Sequence, residues 1–307
     1  MKATRYSAAR LPTEISDRLG TVSLLGSPAF ARLFRHVGGR EVFWVVRINR
    51  NPVAVLTAVE FGRRPVKRLQ SMPDGLYTRL VPLEEEVPLG NPAEVLVREL
   101  ADGGYSKLFV NDFYRQFSMP PAFAVSEFNT ILVDISDPRW QPPDKKIRSE
   151  IRKAEREGIE VSKFDAGRHF DRFWTLLKST EERHLRRPKY PPDFFRALAE
   201  LTQHDERIQW FHVESGGRAA ASHIYLIEND MALNWQIYFD RDFAWLKPNQ
   251  YLLYHAARQM ARRGVRMLNL GASPPTADGL QSQKHKWGGR AYCYSCYTCQ
   301  TGLGRLL

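Results

Sequence analysis

The chain has 307 residues, with 45 Lys+Arg against 34 Asp+Glu, a formal net charge of +11 and a hydrophobic fraction of 43 %. This balance excludes wholesale disorder, and no run approaches the ~18 apolar residues that a membrane span needs. The length predicts two domains or one large one, and the basic, polar opening residues show no secretory signal, so a cytoplasmic protein is expected.

The segment from Glu41 to Glu60 is two apolar runs around a polar turn with Asn49, Asn51 and Pro52, which predicts a hairpin. A helix end, the Gly103–Gly104 turn and a strand from Lys107 to Val110 follow, and then a second strand over Phe128–Ile135. Residues 1–135 therefore read as mixed α/β. The prolines of 137–144 predict a boundary there, giving modules of 1–140 and 141–307.

Asp144 is a good N-cap for a helix with Ile147, Ile151 and Ala154 on one face and Arg148, Arg152 and Arg156 on the other; Gly158 stops it. A strand is expected over 159–164, a helix around 169–184, and a further helix capped by Asp193. From Ile208 to Phe239 two turns, Gly216–Gly217 and Asn229–Asp230, separate three strands of an antiparallel meander. A loop ending at Lys247–Gln250, a helix to Gly264 and a strand over 265–271 complete a strand–helix–strand unit. A loop at 272–279, a short amphipathic segment at 280–289 and a last strand close the sequence.

Cys293, Cys296 and Cys299 all fall in that last strand. Residues three apart on a strand point to opposite faces, so these read as small hydrophobes in a reduced protein and not as metal ligands. The charge is uneven as well. Residues 191–240 carry 3 basic and 8 acidic side chains, whereas 241–307 carry 10 and 2. A localised positive surface suits phosphate-rich partners.

A meander followed by loop–helix–strand and a final strand resembles the GNAT acyltransferase fold. The finer resemblance is to its FemAB-like branch, whose members transfer amino acids from aminoacyl-tRNA onto peptidoglycan precursors. It rests on four segments in order: IRSEIRKAEREGIEV, STEERHLRRPKYPPDFFRAL, KPNQYLLYHAARQMARRGVRMLNLG and GLQSQKHKWGG. LQSMPDGLY resembles the family's Pro–Gly–Tyr loop less closely. Gln283 stands where the family has an aromatic before its lysine, and Trp287 replaces a phenylalanine. The Lys247–Gln250 loop lacks the Gly-rich pattern of acetyl-CoA enzymes.

The resemblance implies an α+β protein of two tandem GNAT-like modules with a cleft between them. It implies that Lys284 stabilises the carbonyl oxyanion or the tRNA acceptor end and that Arg183 holds the pyrophosphate of a nucleotide-linked acceptor; Arg148 and Arg152 are similar candidates for acceptor phosphate or RNA backbone. It further implies that Tyr77 lines the acceptor cleft and that Lys247, Asn249 and Gln250 bind the donor. No tightly bound cofactor is expected; the acyl donor, aminoacyl-tRNA or acyl-CoA, is a co-substrate, and the acceptor is a phosphate-bearing or peptide amine. An acetyl-CoA-dependent N-acetyltransferase and a non-catalytic anionic-ligand or RNA-binding module are the alternative readings. No nucleophile elbow, HExxH or P-loop occurs, so a hydrolase or NTPase reading has no support. His212, His223 and His255 read as structural.

Overall fold

The computed structural model describes residues 1–63, 65–73, 75–77, 79–84, 90–273 and 278–300. Asp74 and residues 274–277, which fall in two of the loops read above, lie outside them. The chain divides into two units, Met1–Phe128 with Cys293–Leu307, and Asn129–Tyr292.

The first unit runs β1 (Lys2–Ser7), α1 (Thr13–Val22), α2 (Pro28–Arg32), β2 (Gly39–Ile48), β3 (Asn51–Phe61), β4 (Arg68–Gln70), β5 (Leu80–Pro82), α3 (Gly90–Asp102) and β6 (Lys107–Asp112). The predicted hairpin is β2–β3. Its turn places Asn49 (φ 48°) and Arg50 (φ 76°) in the left-handed region, as the twist of a tight hairpin requires. The sheet is ordered β1-β2-β3-β4-β6, with β5 also on β3. Ile15 and Leu19 of α1 pack on Phe43, Val45 and Val55, while Leu96, Val97 and Leu100 of α3 pack with Val42, Trp44 and Leu56. Alternate residues of β2 and β3 thus serve two helices on opposite faces.

Within β7 (Ala124–Asp134) the chain passes into the second unit. There follow α4 (Lys145–Arg156), β8 (Ser162–Lys163), α5 (Ala166–Arg183), α6 (Pro192–Thr202), β9 (Ile208–Ser215), β10 (Arg218–Glu228), β11 (Met231–Phe239), α7 (Pro248–Ala261), β12 (Met267–Ser273), α8 (Asp278–His285) and β13 (Arg290–Gln300). The second unit's sheet is ordered β7-β12-β11-β10-β9-β8. One face is covered by α4 and α7, through Ile147, Ile151, Leu252, Leu253, Ala256 and Met260. On the other, Phe173 of α5 and Phe195 of α6 pack around Trp210, which stacks on Phe164 at 3.8 Å. The outer half of β13 belongs to the first unit, where residues 295–300 pair with β6.

Three expectations are corrected. The division falls at 128/129 and 292/293 and not at 140/141, because the proline-rich stretch is anchored in the second unit. Trp140 stacks on Trp287, and Arg148 Nη1 donates to the Pro142 and Pro143 carbonyls at 2.8 and 2.6 Å. The strand over 159–164 shrinks to two paired residues at the sheet edge. Asp193 sits in the first turn of α6 but does not cap it; the N-cap is Pro191, with a second proline fixing N1.

Asp144 does cap α4, its Oδ1 accepting from the Ile147 N–H at 2.9 Å. Asp144→Ala is expected to cost about 0.5–2 kcal/mol, read as a lower urea midpoint of the second unit with an unchanged slope.

Candidate functional site

In the second unit β11 and β12 run parallel, yet they pair only over Met231–Leu233 and Met267–Asn269. Both strands continue for several residues beyond that ladder. Their other registers break at the same level. Against β10, Tyr225 faces Asn234 while Ile224 faces Gln236, so Trp235 is an extra residue in β11. Against β7, the register slips between Asn269 and Ala272. Such bulges bend a strand and increase its twist. From Asn234 onward one edge of β11 therefore has no ladder from β12, and its peptide groups face an opening at the C-terminal ends of two parallel strands. Ligands in open α/β sheets sit at such ends.

Lys284, near the end of α8, closes one side of that opening. Its Nζ donates to Gly271 O at 2.7 Å, Ser273 Oγ at 2.8 Å and Ala272 O at 3.3 Å, so it ties α8 to the last residues of β12. Gly271 is in the left-handed region at φ 76°, where β12 bends away. Asn269 Oδ1 accepts from the Gly271 N–H at 2.9 Å and from Thr130 Oγ1 at 2.5 Å, which fixes the bend. Burial pulls the Lys284 ammonium down to about 8. Three acceptors match the three donors of the charged form, and that form is the one held here.

The first turn of α7 forms a second side. Lys247 occupies its N-cap in the left-handed region, at φ 58°, and its Nζ lies 3.3 Å from Glu150 Oε1 of α4. Pro248 and Gln250 are the residues that flank Asn249 in that turn. Asn249 Oδ1 lies 2.7 Å from His223 Nε2, and His223 Nδ1 lies 3.0 Å from the Tyr225 hydroxyl. Desolvation depresses His223 to about 4, leaving it neutral. The chemistry then assigns the proton to Nε2, donated to Asn249, with Nδ1 accepting from Tyr225. The relay fastens the helix end to β10. A helix N-terminus presents unpaired N–H groups and positive potential, which favour an anion or a carbonyl oxygen.

Arg183 ends α5 against the last residue of β11. Both Nη atoms reach Phe239 O at 3.3 Å, the guanidinium carbon lies 5.0 Å over the Phe239 ring, and Nε is buried without a partner. Desolvation, then the nearby Arg241, lower its affinity for its proton. It lines a cavity of about 550 Å³ along the polar stripe of α5 formed by Asp171, Thr175 and Ser179. Arg218 in that cavity is already held by Asp240 and Asp242.

The remaining candidates are elsewhere. Arg148 and Arg152 border a smaller hollow of about 160 Å³ between α4 and Tyr254 of α7, Arg148 being engaged by the proline-loop carbonyls. Tyr77 belongs to the first unit, where it is 2 % exposed and stacked on Phe113 at 4.2 Å; packing replaces the cleft position expected for it. Cys296 and Cys299 are buried, and burial pushes the Cys296 thiol up to about 11. Sequence reasoning missed Asn234 and the Trp235 bulge. Asn234 is 4 % exposed, and its Oδ1 has no hydrogen-bond partner.

Residues 144–279, a little under half of the chain, match the family described as an acetyltransferase (GNAT) domain. Among solved structures it is similar to FemX, at 12 % identity with 100 % of each chain covered and a TM-score of 0.70. It is also similar to L-PGS from Bacillus licheniformis, at 12 % identity over 93 % of this chain and 90 % of that one, with a TM-score of 0.59. A tandem GNAT protein from the clavulanic acid biosynthesis pathway matches at 13 % identity over 98 % and 99 %, with a TM-score of 0.53. No curated protein matches. The fold is that of Fem-type and tandem GNAT proteins, α+β with two GNAT-like modules.

Proposed function

We propose that the chain is an acyltransferase whose second unit moves an acyl group, foremost an aminoacyl group, from an activated ester or thioester to an amine. The acceptor nitrogen attacks the carbonyl carbon, the carbonyl oxygen takes the charge, and the C–O or C–S bond breaks as the amide forms. The amine's proton leaves with the alcohol or thiol. The observation that carries this reading is the parting of β11 from β12 beside Lys284. Peptide N–H groups along the open edge are donors suited to the developing oxyanion, and the Lys284 ammonium, its own N–H groups engaged by β12, adds positive charge beside them, which is where catalysis of acyl transfer gains most. The first turn of α7, with Lys247, Asn249 and Gln250, is the place for the donor's phosphate or ribose. Arg183, under-used by its own fold, suits an anionic group on the acceptor, as on a cell-envelope precursor.

An aminoacyl-tRNA fits the donor role better than acetyl-CoA, because the α7 turn is Lys-Pro-Asn-Gln and not glycine-rich. The family match described as an acetyltransferase domain favours the second reading, acetyl-CoA. Thermal melts separate them. A donor at 100 times its Kd adds about 2.7 kcal/mol to the folded state, a rise of several degrees for a unit of this size. Alanyl-tRNA is expected to raise the melting temperature more than uncharged tRNA; a rise with acetyl-CoA alone replaces the first reading by the second.

A further inference from the structure

Asn234 is the first residue of β11 beyond the ladder with β12, and directly opposite residues of an antiparallel pair share a face, so it lies beside Tyr225 on the side covered by α7. At 4 % exposure its carboxamide is almost wholly removed from water. Its Oδ1 is paired with nothing. The neighbouring polar side chains are spoken for. Tyr225 is bound to His223, and His223 in turn to Asn249. A buried amide oxygen without a donor costs stability, and a leucine of similar volume at this position avoids that cost. Sites that keep such a group gain selectivity, because a ligand able to donate to it is preferred over one that is not.

We infer that Asn234 is a specificity residue, and that its carboxamide oxygen accepts from the amino group of the acyl moiety being transferred. The inference rests on the proposal that the β11–β12 opening holds the acyl donor. Chemistry sorts the two ends of an aminoacyl group on this edge. The carbonyl oxygen needs donors, which the peptide N–H groups of this edge supply beside the positive charge of Lys284, and the amino group needs an acceptor, which Asn234 Oδ1 supplies. A plain acyl chain leaves Asn234 unpaired and is the weaker substrate. The alternative, that Asn234 holds the attacking amine, predicts equal effects on every donor and is separable by experiment.

Two donors differing only in that amino group give the test: alanyl and propionyl esters of tRNA, together with the matching CoA thioesters. The wild type is expected to transfer alanyl at least 10-fold faster than propionyl from the same carrier. Asn234→Leu is expected to bring the ratio near one, mainly by slowing alanyl. The same variant without ligand is expected to melt a few degrees above the wild type, because an unpaired buried amide has been removed. A wild type that does not discriminate overturns the inference, as does a variant that keeps the preference or slows both donors alike. If no ester or thioester of either kind is turned over, the acyltransfer reading fails by itself. The melt still decides on Asn234, because a melting temperature equal to or below the wild type's shows a carboxamide that the fold itself uses.

Discussion

Transfer by Lys284→Met is expected to fall about 100- to 1000-fold, the usual cost of removing one group that stabilises an oxyanion. The sequence alone suggests that this change leaves folding untouched, since a surface lysine holds little together. The structure amends that. Lys284 also links α8 to the Gly271, Ala272 and Ser273 end of β12, so Met leaves those acceptors unpaired and lowers stability by about 1–3 kcal/mol. Lys284→Arg separates the two roles, because it keeps the charge and hydrogen bonds while moving the proton affinity far from neutrality. Since burial holds Lys284 near 8, the wild-type rate is expected to decline as pH rises through that value, and in the arginine variant the decline is expected to vanish. Rates at saturating donor from pH 6 to 9.5 read both effects. A Lys284→Met enzyme with wild-type turnover removes Lys284 from the site.

Acid is expected to destabilise the second unit well above the range in which carboxylates titrate. Desolvation lowers His212 to about 3 and His223 to about 4, from 6.5. A group whose folded-state affinity for protons is depressed stabilises fully above its unfolded pKa and loses that contribution as pH falls below it. The window is therefore 6.5 down to about 3 or 4. At 1.4 kcal/mol per pH unit, each histidine removes about 2 kcal/mol by pH 5, against a total stability of about 5–15 kcal/mol. His212 is enclosed by His169, Arg172, Glu214 and the Phe164 ring. Glu214 Oε1 lies 3.3 Å from its Nε2, but neither ring nitrogen makes a hydrogen bond and Arg172 occupies the other carboxylate oxygen at 2.8 Å, so the contact is no ion pair. Urea midpoints at pH 7.5 and 5, followed by Trp210 fluorescence, measure the loss. His212→Phe is expected to halve the pH dependence; an unchanged dependence places the acid sensitivity elsewhere.

Much of the frame was legible because it depends on neighbours in sequence. The Asn49–Arg50 turn, the Asp144 cap with its apolar seam, the Gly216–Gly217 and Asn229 turns of the meander, and the helix after Lys247 are all local signals. What the sequence hid was set by distant partners. Asp193 looks like a cap until two prolines take the helix start, and the 159–164 strand is limited by the two residues that β9 can pair at the sheet edge. The site divides in the same way. Lys284, Arg183 and the α7 turn stand in recognisable segments, whereas Tyr77 was misplaced because an aromatic after a glycine serves a core as readily as a cleft. Asn234 gave no signal at all. Only its burial and its neighbours in space make this asparagine a group whose Oδ1 has no partner.

The split of β13 between the units bears on how the chain is synthesised. Strand β6 is made early, yet its neighbour in the sheet arrives much later; Tyr297 Oη donates to Phe117 O across 180 residues. At roughly 5–20 residues per second, a ribosome takes on the order of ten seconds or more to close that gap. Throughout it, β6 presents an unpaired edge, and the N-terminal unit waits while the whole of the later one is made. Folding here is nested and not vectorial, and a stall or nick after β12 strands the older half of the molecule, with an edge open to pairing with other chains.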